Sequence, residues 1–332
     1  MYDEFFGLSC MPFGTSADLK FLYLTPQHRE AATGLICTIL NREGCALLTG
    51  EPGTGKTMVL KATLTSFPVE SVIICDLLIP TLSQTELLEY VMLRLGIDAA
   101  GPANKAQQLL SLERFLLDAR YQGRTVVMVV DEAQSLPVDV LEEIRLLMNL
   151  EDHGGKLLQI VLAGQPELDT LLRQKASRQF KQRVAYRFSL RPLSMLDVES
   201  YIDHRWQRAG GTARPPFERE AIRSIAAYSR GIPRLINIIC NNALLAAFAC
   251  GSTLIRASHV VGAAQDLDLI ERGEVAAPRT AGTEDEIADL QRLTSGSSPS
   301  RRSTARSAAV SAGRAPTSPW LVRSAKKLLL LR

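Results

Sequence analysis

Between Gly50 and Thr57 the sequence reads GEPGTGKT, which fits the spacing G-x-x-x-x-G-K-[ST]. Gly50, Gly53 and Gly55 can adopt backbone angles closed to other residues. Their amides can therefore converge on an anion, and a helix starting near Lys56 adds its dipole to the attraction. The expected cradle comprises Gly50, Glu51, Pro52, Gly53, Thr54, Gly55, Lys56, Thr57 and Met58. In it, Lys56 reaches the β- and γ-phosphates of a nucleoside triphosphate and the Thr57 hydroxyl ligates Mg2+. The plain alternative is a glycine-rich turn followed by an incidental Lys-Thr. The apolar run CALLTG before the motif and the helical pattern after it argue for the cradle.

A cradle needs a partner that handles metal and water. VVMVVDEAQ supplies one: an apolar run ending in Asp131 and Glu132. At a strand end Asp131 can hold Mg2+ through water, while Glu132 can polarise the attacking water. Further on, LAGQPEL places Gln165 after another apolar run. Two readings stand for it: a polar side chain facing the γ-phosphate and the water, or a helix-capping turn. In SRQFKQRVAYRF, Arg183 precedes a strand, where an arginine can reach a neighbouring subunit's nucleotide and compensate transition-state charge. Arg178 is the rival, and a solvated basic helix end is the plain alternative. In SRGIPRLIN, Arg234 opens a helix and could fold back onto the γ-phosphate.

The elements that must position these residues follow from pattern. PQHREAATGLICTILNREG begins with a Thr-Pro helix signal and ends at Gly44. Strands are expected at CALLTG, ESVIICDLL, TVVMVVDE, LLQIVLAG and VAYRFSL, several of them apolar on both faces as in a parallel sheet. Helices alternate with them, at about 83–95, 105–121 and 138–149, so the expected fold is an α/β three-layer αβα sandwich around a parallel sheet. After RPLS the strand signal stops and four helices are expected, at 196–209, 218–229, 233–248 and 258–269. The expected organisation is thus an N-terminal segment (1–44) packing on the core, a P-loop domain (45–192), a small all-helical lid (193–272) and a disordered tail (273–332).

Composition narrows the function classes. The chain has 332 residues, 46% of them hydrophobic, enough for a sizeable core. No run of 18 apolar residues occurs, so no transmembrane helix is expected. MYDEFFGLSCMPF lacks a basic-then-apolar leader pattern, which points to the cytoplasm. The six cysteines form no C-x-x-C pair and read as buried reduced thiols. The four histidines lack ligand spacing and read as isolated surface or capping residues. Residues 291–332 hold nine Lys/Arg and no acid, against 29 basic and 35 acidic residues elsewhere. Such a tail can serve as a solubilising end, or bind an anionic membrane surface or nucleic acid.

In order, GEPGTGKT, VVMVVDEAQ, LAGQPEL, the Arg183 position and GIPRLIN resemble the AAA+ ATPases. The opening MYDEFFGLSCMPF followed by FLYLTPQHREA is similar to the general secretion pathway protein A (ExeA-like) subgroup and its relatives in pilus and exopolysaccharide systems. The resemblance covers about residues 1–270. It implies ATP with Mg2+, Lys56 and Thr57 as Walker A residues, and Asp131 and Glu132 as the Walker B pair. It also implies Gln165 at sensor 1, Arg183 as the finger and Arg234 at sensor 2. The activity implied is ATP hydrolysis by a homo-oligomeric motor or switch serving an envelope-assembly partner, in the cytoplasm or peripherally at the inner membrane. Two other readings are carried: a DNA-associated ATPase resembling transposition regulators, supported by the basic tail, and a slow nucleotide-dependent scaffold. Members of the subgroup continue into a transmembrane helix and a peptidoglycan-binding domain. This sequence shows neither, and the leucine run in WLVRSAKKLLLLR is too short to span a bilayer. The aromatics Phe5, Phe6, Phe13, Phe21 and Tyr23 are expected to pack on the helices of the sheet domain.

Overall fold

The computed structural model describes residues 2–77, 82–97, 104–173, 178–212 and 214–269. Residues 78–81, 98–103, 174–177 and 213 lie outside this set, as does everything from 270 on, the basic tail included. Among the described residues no helix is long and apolar enough to cross a membrane.

Five strands build the central sheet: β1 (Cys45–Gly50), β2 (Val72–Leu77), β3 (Thr125–Val130), β6 (Leu158–Gly164) and β7 (Tyr186–Leu190). They pair in the order β2-β3-β6-β1-β7, and every pair is parallel. A short antiparallel hairpin, β4 (Glu151–Asp152) with β5 (Gly155–Lys156), sits before β6 and has no counterpart in the sequence reading. Alternation along each strand sorts side chains between the two faces. In β3, Val126, Met128 and Val130 join one apolar cluster while Val127 and Val129 join another. Cys45 and Leu47 of β1 divide from Ala46 and Leu48 in the same way.

Helices cover both faces. The helix α2 (Pro26–Leu40) and the helix α3 (Lys56–Thr65) pack on one. On the other lie α4 (Gln84–Arg94), α5 (Lys105–Tyr121), α6 (Val138–Leu147), α7 (Glu167–Arg173) and α8 (Arg178–Lys181). The αβα sandwich read from the strand and helix pattern is therefore present. Polar caps set the starts: Pro26 occupies the first turn of α2, and Ser83 with Glu86 and Asn104 with Gln107 form reciprocal capping boxes on α4 and α5.

After β7, four helices form a third apolar cluster: α9 (Met195–Arg208), α10 (Arg219–Ser229), α11 (Pro233–Ala249) and α12 (Ala257–Asp266). Here the aromatics depart from expectation. Tyr2, which opens the short helix α1 (Tyr2–Phe5), Phe13 and Phe21 are buried in this helical cluster, with Phe6 and Tyr23 packed against it. The N-terminal segment thus divides: Tyr2, Leu8, Phe13 and Phe21 are buried with the lid helices, Leu22 and Leu24 with the sheet side, and Tyr23 between them still packs on the lid. The physical reason is area, since four short helices cannot enclose Tyr201 and Trp206 alone and the aromatic strap closes the cluster.

The attachment is polar as well as apolar. Arg205, 3% exposed, donates to the carbonyls of Pro12 (2.6 Å) and Gly14 (3.1 Å) and to the Tyr201 hydroxyl (2.9 Å). Its guanidinium lies 4.7 Å from the centre of the Phe21 ring. The Tyr2 hydroxyl donates to Asn241 at 2.7 Å. Cys45, Cys75 and Cys240 are buried thiols, but Cys250 is exposed at the end of α11, where the helix runs out of neighbours.

Candidate functional site

All the sequence-predicted groups but the arginines come from the carboxyl ends of adjacent parallel strands, the edge where loops of an open α/β sheet gather. The loop after β1 leads into α3, with Gly53 (φ +81°) and Gly55 (φ +104°) in the left-handed region that favours glycine. Gly53 is tightly enclosed: a Cβ there would stand 2.7 Å from Cβ of Arg234. Lys56 is 5% exposed, and its ammonium donates to the carbonyls of Gly50 (2.8 Å) and Glu51 (3.1 Å). Burial lowers its pKa from the ordinary lysine value, opposed by the nearby carboxylates of Glu132 and Asp131.

The Thr57 hydroxyl donates to Oδ2 of Asp131 at 2.6 Å, although the two residues are 74 positions apart. Glu132 follows with φ +54°, a left-handed backbone at a non-glycine position two residues past the end of β3. Its carboxylate accepts from Nε2 of Gln134 at 2.6 Å and from Nε2 of Gln165 at 3.4 Å. The Gln134 bond is the main reason its pKa lies below the ordinary glutamate value, with Gln165 and the Lys56 charge adding to it. Oε1 of Gln134 also accepts from the Gln165 backbone at 3.0 Å. Gln134 therefore ties the end of β3 to the end of β6. Gly164 leaves it room, since a Cβ there would come within 2.8 Å of the same Oε1. In VVMVVDEAQ only the acids carry a recognisable signal; the register of β3 beside β6 reveals the glutamine's span.

Arg234, at the start of α11, is exposed, lies against Gly53 and donates its backbone N–H to the Gly53 carbonyl at 3.3 Å. The turn before it uses Gly231 (φ +73°), where any Cβ would run into the Leu193 backbone. Arg183 is placed elsewhere: its guanidinium bonds the side chain of Asn149 beyond α6, and it does not line the cavity at the loop. Arg178 is the first residue of α8, and its side chain is outside the described set.

A cavity of about 260 Å3 adjoins the loop and runs toward the N-terminal segment and the lid. Gly55, Lys56, Glu132, Leu24, Tyr201 and Arg234 contribute to its wall. His28 also lines it, and this histidine is neither a surface nor a capping residue: it is 4% exposed. Its ring joins the Thr25 hydroxyl (2.5 Å) to the Thr54 carbonyl (3.1 Å), and burial depresses its pKa below the ordinary imidazole value. By contrast His259 does cap a helix, accepting from the Arg256 backbone at 3.1 Å.

The geometry fits a nucleotide triphosphate with a divalent cation. Helix α3 presents unpaired first-turn N–H groups behind the glycine loop, an ammonium stands among them, and a hydroxyl and a carboxylate offer hard oxygen ligands side by side.

Residues 39–172, which carry β1, β2, β3, β6 and the glycine loop, match the model of the AAA domain family. At a finer level the chain is similar to general secretion pathway protein A of Aeromonas hydrophila, 43% identical over 252 residues. That match takes in 76% of this chain and 46% of the relative, so the chain spans about half the length of the curated protein it matches. Among solved structures, Cdc6p from Pyrobaculum aerophilum superposes with a TM-score of 0.58 at 20% identity, covering 80% of this chain and 70% of that one. The ORC2 protein of Aeropyrum pernix gives 0.53 at 16% identity, over 74% and 71% of the two chains. At these identities the likeness is one of fold.

Proposed function

We propose that the chain binds ATP with Mg2+ and hydrolyses it, acting as an oligomeric switch or motor in envelope assembly of the secretion type. The observation that carries the ATPase reading is the 2.6 Å bond between Thr57 and Asp131, which sets the loop after β1 and the acid after β3 on one metal-sized spot. Bound there, the metal would neutralise charge on the β- and γ-phosphate oxygens.

The protein groups divide the remaining work. The amides of Gly53 and of Gly55 to Met58 hold the phosphates at the amino end of α3, while the Thr54 amide donates to the Glu51 carbonyl and shapes the loop. Lys56 exchanges its two loop carbonyls for phosphate oxygens, a better partner for a half-desolvated ammonium. Glu132, kept ionised by Gln134, accepts a proton from the attacking water. The water oxygen bonds to the γ-phosphorus, the bond to the ADP oxygen breaks, and the proton passes to the released phosphate. Gln165, beside Glu132, orients the same water. Arg234 joins lid to loop, so phosphate charge at Gly53 draws the lid inward.

Arg183 lies away from the cavity of its own subunit, which suits a group offered to a neighbour in a homo-oligomer, once it leaves Asn149. The resemblance to general secretion pathway protein A supports an envelope-assembly partner and a peripheral place at the inner membrane. Lys56→Ala tests the reading: nucleotide binding should be lost or greatly weakened, and ordinary affinity in that variant would remove the cradle assignment.

A further inference from the structure

We propose that His28 is a positioning residue of the phosphate cradle: it pins the Thr54 carbonyl and thereby aims the Gly55 amide at the phosphates. The inference rests on the nucleotide-binding reading above and adds a residue from a distant helix.

A carbonyl oxygen only accepts hydrogen bonds, so the 3.1 Å contact with Thr54 requires the proton on Nε2 of His28. In the neutral ring Nδ1 is then an acceptor, and the Thr25 hydroxyl donates to it at 2.5 Å. Thr25 is the residue before α2, a place where a threonine hydroxyl commonly caps the helix backbone. Here it makes no such cap bond; it fixes the imidazole instead. Thr25, His28 and Thr54 are 4%, 4% and 1% exposed, so water competes little for these bonds. Helix α2 is a firm base, because Ala31, Ala32, Leu35, Ile36 and Ile39 bury one side of it against the sheet.

The peptide joining Thr54 to Gly55 transmits the constraint. It is trans, and in a planar trans peptide the C=O and N–H point in opposite directions. With the carbonyl held toward the imidazole, the Gly55 N–H points away from it. Gly55 has φ +104° and no side chain to resist rotation, so this peptide is free to flip unless something holds it. A flip would turn the Thr54 carbonyl dipole toward the anion and remove one amide donor. The ring also closes over the glycine: a Cβ at Gly55 would sit 3.4 Å from Nε2.

The test compares His28→Leu, which fills the space without a donor, with His28→Gln, whose amide nitrogen reaches about as far as Nε2. Equilibrium titration with a fluorescent ATP analogue and Mg2+ reads affinity, with Lys56→Ala alongside. His28→Leu should bind roughly five- to tenfold more weakly, the worth of one hydrogen bond, while His28→Gln stays within about twofold of the parent. If His28→Leu binds like the parent while Lys56→Ala does not, the positioning role is wrong and the cradle stands. Equal losses in both His28 variants would mean that ring packing matters and the donor does not, which also overturns it. Ordinary binding by Lys56→Ala would bring down the cradle itself. Nitrogen-15 spectra of the unmutated protein give a check free of folding effects: the His28 ring should carry its proton on Nε2, and a proton on Nδ1 would refute the geometry.

Discussion

Replacing Gln134 by Leu probes the proposed hydrolytic arrangement at one half-buried tie. The side chain makes two bonds: a 2.6 Å donation to the Glu132 carboxylate and a 3.0 Å acceptance from the Gln165 backbone. Hydrogen bonds to charged groups contribute roughly 1.5–3 kcal/mol and neutral ones about 1 kcal/mol. Glu132 is exposed, so water compensates part of the first loss, and the lower end applies. What remains is misdirection: Glu132 keeps only the weaker 3.4 Å contact with Gln165, and Gln165 loses the bond that holds its backbone. Turnover should fall by roughly tenfold to a hundredfold, equivalent to about 1.4–2.8 kcal/mol of barrier. The phosphate loop is untouched, so KM for ATP should change little. Steady-state phosphate release at several ATP concentrations separates the two parameters. A kcat within twofold of the parent would refute the claim that Gln134 holds the water-activating group, and a raised KM with unchanged kcat would assign it to nucleotide binding.

Other outcomes follow from the same geometry. Arg205→Leu removes the bonds to Pro12, Gly14 and Tyr201, and should cost about 2–4 kcal/mol of stability, seen as a lowered unfolding midpoint in calorimetry. An unchanged midpoint would show that the aromatic strap holds by apolar contact alone. His28 has a folded pKa depressed chiefly by burial, with the Thr54 carbonyl and Asp197 partly opposing. The unfolded chain therefore takes up the proton first, and stability should be full above about pH 6.5 and decline as pH falls below it. Denaturant titrations across that range read the slope, and His28→Gln should flatten it; an identical slope in the variant would assign the effect to another group, such as His204, whose pKa is also lowered by burial.

Much of the sheet was legible because its strands are apolar on both faces, and TVVMVV or LQIVLAG admit few other placements. The helical pattern located α5 equally well, at Lys105–Tyr121, and the structure adds the Asn104–Gln107 capping box that starts it. The loop was legible for another reason, since its function sits in backbone conformation that glycine spacing advertises. Less legible were residues whose meaning depends on contacts across the chain. His28 looks like an isolated histidine until α2 is laid against the loop 26 positions later. Arg205 reads as one more basic residue on an amphipathic helix, yet its partners are carbonyls 191 and 193 residues earlier. Phe13 and Phe21 declare burial through their size, but which of three apolar clusters takes them is decided by which one lacks area. Tertiary pairing supplies that information, and periodicity carries none of it.

The account turns on whether the chain hydrolyses ATP with Glu132 as the group that takes the water's proton. The most direct measurement is phosphate release per protomer, with and without Mg2+, for the parent and for Glu132→Gln, over a wide range of protein concentration. Magnesium-dependent turnover in the parent is expected to drop by roughly a hundredfold or more in the variant, with nucleotide still bound. A rate per protomer that rises with concentration would add that subunits share the site. Equal rates in parent and variant would contradict the central claim.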